Sequence, residues 1–125
     1  MKFKFVEDFD LDEKFTSNHN KYSHYNKHVN NLKEYDSELT EEEYEKIADD
    51  LAMTKLDHKR ILGYETESPD DDNRHRYAKY NKDTGDFVVY ALDSNKNPLI
   101  ISLHKKTIRE YNIDKGIKYV GEIPE

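Results

Sequence analysis

Two histidines lie four residues apart in the stretch SHYNKHVNN, at His24 and His28, and Lys27 stands beside the second. On a helix, residues with this spacing are neighbours on one face, so both imidazoles can reach the same ligand. Histidine exchanges protons near neutral pH, which suits a general base or a general acid. The same spacing occurs in zinc sites. A third interpretation is that both are polar residues of an ordinary surface helix.

The zinc interpretation has the least support. The metalloprotease motif requires Glu directly after the first histidine, where this chain has Tyr25, and Lys27 beside the pair disfavours a dication. No obvious third ligand follows, and a chain without cysteine has no thiolate ligands. We therefore expect neither a metal nor another cofactor. The catalytic interpretation and the surface-helix interpretation both stay open.

Phosphoryl chemistry also requires cations, because charge develops on the non-bridging oxygens. The second half of the chain supplies them. In the predicted strand RHRYAKY, alternation places Arg76 on one face and Lys79 on the other. For Arg76 the alternative is a surface ion pair with Asp70–Asp72, which contributes little. The segment LIISLHKKT adds hydroxyl and basic groups on or just after the last predicted strand: Ser102, His104, Lys105 and Thr107.

Two predicted helices precede these strands. Residues 19–32 carry apolar side chains at spacings of three and four, and His24 and His28 flank that stripe. The two histidines would then sit at the rim of a helix–sheet interface. The next helix, TEEEYEKIADDLAM, begins with a capping box formed by Thr40 and Glu43.

After His58 the spacing of apolar residues changes from the helical period to the alternation typical of β-strands. The segment KRILGYE reads as a strand, and RHRYAKYN joins DFVVYALD through a hairpin in which Gly85 is available for a positive φ. LIISLH is a further strand, MKFKFV is a candidate edge strand, and IKYVGEI is a candidate last strand. Ser68–Asn73 reads as an exposed loop. The predicted class is α+β, with the N-terminal helices packed on one face of an antiparallel β-meander of three to five strands.

Length and composition set further bounds. The 125 residues predict a single domain, with an edge strand and loop in 1–18, a helical half in 19–57 and a β-rich half in 58–125. No apolar run approaches the ~20 residues of a membrane span, so we expect a cytoplasmic protein without membrane contact. The net charge of −7 counts against broad, non-specific nucleic-acid binding, although a small basic pocket fits on an acidic body.

The order of the motifs HYNKHV, TEEEYEKIADDLA, RYAKYNKDTGDFVVYA and PLIISLHKKT resembles a known family. It is similar to the toxin domains and phage proteins of the barnase/EndoU/colicin/RelE-like nuclease superfamily, over residues 24–111. Many of those proteins carry an H-x-x-K-H motif on a helix, matched here by His24, Lys27 and His28. A meander with a closing strand that carries Ser or Thr follows in the family.

The resemblance implies a metal-independent endoribonuclease, toxin-like or phage-encoded, that leaves a 2′,3′-cyclic phosphate. His24 or His28 would be the general base or acid, and Lys27 would contact phosphate. The remaining matched positions would supply charge stabilisation (Lys79, with Arg76 and Lys105 nearby), a closing-strand hydroxyl (Ser102 and Thr107) and base stacking (Tyr111). RNA, with tRNA as one candidate, would be the substrate, and an immunity or antitoxin protein would be a candidate partner.

An alternative function follows from the acidic composition. Many nuclease toxins are basic, and the closing segment IISLHKKT departs from the family's I-x-T-aromatic pattern. The chain also starts at Met1 with no delivery module, which favours a stand-alone phage or mobile-element product. Acidic runs such as Glu41–Glu43 would then mimic nucleic acid towards a host or phage protein, as in an inhibitor of a nuclease or defence protein. The two functions differ in whether the histidines face Lys79 and Ser102 across a concave surface.

Overall fold

A six-stranded sheet forms the centre of the molecule in the computed structural model, which describes residues 4–5, 24–66, 76–92 and 95–123. The strands and helices, in chain order, are β1 (Lys4–Phe5), α1 (Asn26–Asn31, a π-helix), α2 (Glu41–Met53), β2 (Ile61–Thr66), β3 (Arg76–Asn81), β4 (Asp86–Leu92), β5 (Pro98–Lys105), α3 (Ile108–Lys118) and β6 (Tyr119–Gly121). The predicted loop Ser68–Asn73 and helix residues 19–23 lie outside the described residues.

The spatial order of the strands is β1-β5-β4-β3-β2-β6. β2 to β5 form an antiparallel meander, and β6 adds to β2 in antiparallel orientation. β1 pairs with β5 in parallel, so the N-terminal edge strand predicted from MKFKFV is confirmed at Lys4–Phe5. The predicted α+β class is confirmed, with five antiparallel strands and one short parallel strand.

The hairpin between β3 and β4 forms where the sequence predicts it. Gly85 has a φ of 81°, a conformation that side-chain-bearing residues rarely adopt. Its backbone N–H donates to the carbonyl of Asn81 (2.7 Å), and its own carbonyl accepts from the N–H of Lys106 (2.8 Å). The glycine therefore turns the chain and also ties the hairpin to the end of β5.

Helix α2 covers one face of the sheet, which we call the first face. Its predicted capping box is confirmed, because the Thr40 side chain accepts from the Glu43 N–H and the Glu43 carboxylate accepts from the Thr40 N–H. Tyr44 is fully buried, and its hydroxyl donates to the Leu103 carbonyl on β5. The core on this face combines α2 with the inward side chains of the meander, among them Tyr77, Val88, Tyr90, Ile100 and Leu103.

Helix α3 was not predicted, and it belongs to the other face, which we call the second face. A capping box of Thr107 and Glu110 starts α3, and Tyr111 anchors it. The Tyr111 ring stacks on Tyr80 with a centroid distance of 4.9 Å and packs in a cluster with Tyr64, Ala78, Tyr80 and Phe87. The predicted packing of helices on one face therefore holds for α2, while α3 lies on the opposite side.

Lys79 points into the first face and completes the C-terminus of α2. Its Nζ donates to the carbonyls of Ala52 and Thr54, at 2.7 Å each, and lies 5.5 Å from the ring centroid of Tyr90. Only 7% of the residue is exposed. Burial lowers the pKa of Lys79 to about 8, so the amine is still largely charged at neutral pH. Its role is to satisfy carbonyls that the helix end leaves without partners.

We expect Lys79→Met to lower the free energy of unfolding by about 2–4 kcal/mol, because it leaves one buried carbonyl and one partly buried carbonyl without this donor. Urea unfolding followed by circular dichroism measures the change. Lys46→Met is the matched control, since Lys46 is exposed and forms only an i,i+4 pair with Asp50, worth about 0.3–0.5 kcal/mol. Equal effects of the two substitutions would contradict the assigned capping role.

Candidate functional site

A cavity of about 710 Å³ opens on the second face. Its walls come from α1 and His24, two residues before it, from β2 to β5 with Lys106 just after β5, and from the C-terminal end of α3 with the first residue of β6. The lining contains three histidines (His24, His28 and His104), four cations (Lys27, Arg76, Lys106 and Lys118), four hydroxyl groups (Tyr64, Thr66, Ser102 and Tyr119) and four apolar side chains (Phe87, Val89, Ile101 and Ile117). Among the described residues no Asp or Glu belongs to the lining, although the whole chain carries a net charge of −7.

The three histidines form a stacked row. The rings of His24 and His28 are nearly parallel, at an interplanar angle of 3° and a centroid distance of 6.0 Å. His28 stacks in turn on His104, at 19° and 5.0 Å. The far side of His104 meets Phe87 at 5.3 Å. The row therefore joins α1 to strands β5 and β4.

The π-helix places the histidines at the edge between the two faces. Val29 is fully buried in the first-face core, with Tyr25 packed against it, whereas His28 stacks on the second face. The Tyr25 hydroxyl donates to the Leu39 carbonyl at 2.5 Å. His28 lies within α1 and His24 lies two residues before it, so this helical segment presents both rings on the same side.

Glu34 fixes the orientation of His28. Its Oε2 lies 2.7 Å from His28 Nδ1, and its Oε1 accepts from the backbone N–H of Lys105 at 2.6 Å. The Glu34 N–H also donates to the His28 carbonyl at 2.8 Å. His28 is only 6% exposed, so this carboxylate acts on a largely buried ring. With Nδ1 held by Glu34, Nε2 is the imidazole nitrogen available for proton transfer.

The electrostatic environment is positive around His104. Burial, and then the neighbouring His28 and the cations Lys106 and Lys27, lower the pKa of His104 to about 3. It is therefore neutral over the physiological range. Burial, and then Lys118, also lower the pKa of Lys106, whose Nζ pairs with Asp114 behind the cavity wall. The result is a neutral imidazole among positive groups, a setting that attracts an anion.

A β-bulge in β5 brings Ser102 into the cavity. Val89 of β4 pairs with Ser102, and the next residue, Tyr90, pairs with Ile100, which leaves Ile101 as an extra residue. Such a bulge bends the strand and redirects its side chains. Ile101 and Ser102 both line the cavity as a consequence. The hydroxyl of Ser102 thus lies on the same wall as His104.

The structure brings five of the sequence-predicted residues to this cavity: His24, Lys27, His28, Arg76 and Ser102. It does not bring Lys79 there, because alternation along β3 turns Lys79 to the first face while Arg76 faces the second. Nor does Tyr111 reach the lining as a surface for stacking, because it is 1% exposed and packed between Tyr80 and Tyr64.

Lys105 and Thr107 also have other roles. Lys105 Nζ forms an ion pair with Asp86 at 2.9 Å and lies over the Tyr35 ring, away from the cavity lining. The Thr107 hydroxyl is used as the helix cap of α3, where it accepts from the Glu110 N–H. Both are therefore structural in this fold, and Ser102 is the closing-strand hydroxyl that lines the cavity.

The sequence analysis named His104 without assigning it a role, and it missed Glu34 and the cations Lys106 and Lys118 as site residues. For His104 the signal was present, because it alternates with Ser102 on one strand face. For Lys118 the signal was the capping box of Thr107 and Glu110, because a capping box predicts the start of a helix and Lys118 lies in that helix. Glu34 gave no local signal, since its partner Lys105 is far along the chain.

Comparisons with protein-family models, with curated proteins and with solved structures found no match. Across the described ranges no helix combines the length and apolar character required to cross a membrane. Within those same ranges no group of three or more His, Cys, Asp or Glu side chains could hold a metal ion.

The low pKa of His104 predicts acid-sensitive stability. A histidine with a lower pKa in the folded chain binds fewer protons when folded, so the free energy of unfolding falls as the pH drops below about 6.5. Between pH 6.5 and 4.5 we expect wild type to lose about 2–3 kcal/mol more than His104→Phe, at about 1.36 kcal/mol per pH unit. Phe preserves the ring contacts with His28 and Phe87.

Urea unfolding at the two pH values measures this difference. His58→Gln is the control, because His58 is exposed, and its loss should equal that of wild type. If His104→Phe loses as much stability as wild type, the protonation of His104 is not what makes the fold acid-sensitive.

Proposed function

We propose that the protein is a metal-independent endoribonuclease that cleaves RNA through a 2′,3′-cyclic phosphate. The observation that carries this proposal is a cationic cavity that combines stacked histidines with a serine hydroxyl and, among the residues that the structure describes, has no carboxylate in its lining. Cleavage by the ribose 2′-hydroxyl requires a proton acceptor, a proton donor and charge stabilisation at phosphorus. Hard cations such as Mg²⁺ prefer oxygen ligands, above all carboxylates, and the described part of the lining supplies no carboxylate.

His28 is the general base in this proposal. The Glu34 carboxylate accepts a hydrogen bond from His28 Nδ1–H, so Nε2 is free to accept the proton. The negative charge of Glu34 then stabilises the imidazolium that forms. His24, stacked on His28 and less buried, is the general acid. His104, which stacks on His28, stays neutral because its pKa is low, and it therefore places no positive charge next to the base.

The proposed chemical step is a transesterification at phosphorus. The 2′-oxygen forms a bond to phosphorus while its proton moves to His28 Nε2. The bond between phosphorus and the 5′-oxygen breaks, and His24 supplies a proton to that leaving oxygen. The products are a 2′,3′-cyclic phosphate and a 5′-hydroxyl, with no oxidant, metal or cofactor involved.

The cations of the cavity stabilise the charge on the non-bridging oxygens. Lys27 lies next to the base in sequence, Arg76 faces the cavity from β3, and Lys118 faces it from α3. Cations that face the same cavity can together stabilise such charge. The Ser102 hydroxyl supplies a further hydrogen-bond donor from β5.

Incubation of the purified protein with total RNA in EDTA tests the proposal. Wild type should cleave RNA and leave 2′,3′-cyclic phosphate ends, and His28→Ala should reduce the rate by about 10²–10⁴-fold. His24→Ala should also reduce the rate, because it removes the proton donor. Electrophoresis and mass spectrometry of the ends measure both effects.

His58→Ala is the matched control, because it removes an exposed histidine outside the cavity lining and should cleave like wild type. No cleavage by wild type, or equal cleavage by all of these proteins, would exclude the proposed activity. Binding of RNA without cleavage would favour an interaction protein that uses the same cavity.

Glu34→Gln tests the orientation of His28. The amide can still accept from the Lys105 N–H, but it lacks the charge that stabilises the His28 imidazolium. We expect kcat to fall about tenfold or more and the acidic limb of the pH–rate profile, which reports the general base His28, to change, while KM for RNA changes little. An unchanged pH profile together with an unchanged kcat would show that Glu34 only supports the fold.

A further inference from the structure

The end of α3 gives the cavity an apolar mouth beside its cations. Ile117 is 76% exposed and Tyr119 is 43% exposed, and both line the cavity on either side of Lys118 in the chain. Single exposed apolar side chains are ordinary. Here the two share one cavity with cationic groups, and that combination matches a ligand that carries an anionic group next to a flat apolar one.

The ring of Tyr119 is held in place before any ligand binds. Its hydroxyl donates to Glu122 Oε1 at 2.9 Å, and Lys115 Nζ lies 5.3 Å from the ring centroid. Tyr119 is also the residue at which α3 ends and β6 begins, so its backbone is fixed by both elements. A ring that is already ordered loses little conformational entropy when it binds a flat partner.

We propose that Tyr119 and Ile117 form a base-binding subsite and that the substrate is RNA with an unpaired nucleotide at the cleavage position. This inference rests on the proposed ribonuclease function and specifies the substrate class. The phosphate lies on the cationic side by Lys118, and the adjoining base stacks on the Tyr119 ring. A base inside a duplex is already stacked on both sides, so only an unpaired base reaches this ring.

Tyr119 therefore takes the stacking role that the sequence suggested for Tyr111. The two tyrosines lie on the same helix and its extension, but Tyr111 packs into the second-face cluster with 1% exposure. Tyr119 lies at the cavity mouth, where an aromatic surface stays accessible to a ligand.

Binding of a non-cleavable probe tests the subsite. A short unstructured 2′-O-methyl RNA lacks the attacking hydroxyl, and an abasic strand of equal length keeps the phosphates without the bases. Wild type should bind the base-carrying strand at least about fivefold more tightly than the abasic strand, as expected for stacking on one aromatic ring. Fluorescence anisotropy in EDTA at a fixed salt concentration measures both affinities.

Tyr119→Ala should remove this preference by weakening only the binding of the base-carrying strand. Tyr119→Phe should restore the preference, because it keeps the ring and loses only the hydrogen bond to Glu122. Met53→Ala is the control for an exposed apolar side chain outside the cavity, and it should bind both strands like wild type. Annealing the probe to its complement should abolish the Tyr119-dependent part of the binding.

The outcomes separate the two proposals. If Tyr119→Ala keeps the wild-type preference for the base-carrying strand, the base-binding subsite is excluded even when wild type cleaves RNA. Contact with a protein partner would then be the better explanation for the exposure of Ile117 and Tyr119. If binding depends on the base and on Tyr119 but wild type cleaves nothing, the subsite stands and the ribonuclease proposal fails.

Discussion

One carboxylate, that of Glu34, connects the helix that carries the histidines to the sheet that carries the rest of the site. It holds the His28 ring by Nδ1 and the β5 backbone by the Lys105 N–H. The preceding residue, Lys33, has a φ of 52°, a left-handed conformation that costs roughly 1 kcal/mol in a residue with a side chain. The hydrogen bonds of Glu34 offset that cost and, together with the burial of Val29 and the stacking of His28 on His104, they fix α1 against the sheet.

The sheet divides two tasks between its faces. On the first face, α2 and the buried tyrosines supply the main hydrophobic core, and Lys79 is used there to complete a helix end. On the second face, the tyrosine cluster around Tyr111 fills only part of the surface, and the cavity occupies the remainder. Residues of one strand therefore face the core and the cavity in turn, as Lys79 and Arg76 illustrate.

Local signals predicted much of this fold, because caps and turns depend on a few adjacent residues. The Thr40–Glu43 box and Gly85 are examples. The same box at Thr107 preceded a helix that sequence reasoning missed, since α3 buries Tyr111 alone among its residues and shows no clear apolar stripe. The face of Lys79 and the stacking of His104 depend on which surface each helix covers, and that is decided by packing between distant segments.

The separation of charge between the cavity and the whole chain has a kinetic consequence. A polyanion that approaches from beyond the Debye length, about 8 Å at physiological ionic strength, meets a body of net charge −7 and is repelled. Only within the last few ångströms do the cations of the lining dominate the field. Added salt would then speed the encounter while weakening the final contact. Short or locally flexible nucleic-acid strands would thus associate faster than long, stiff ones, even where their contacts with the cavity are equally strong.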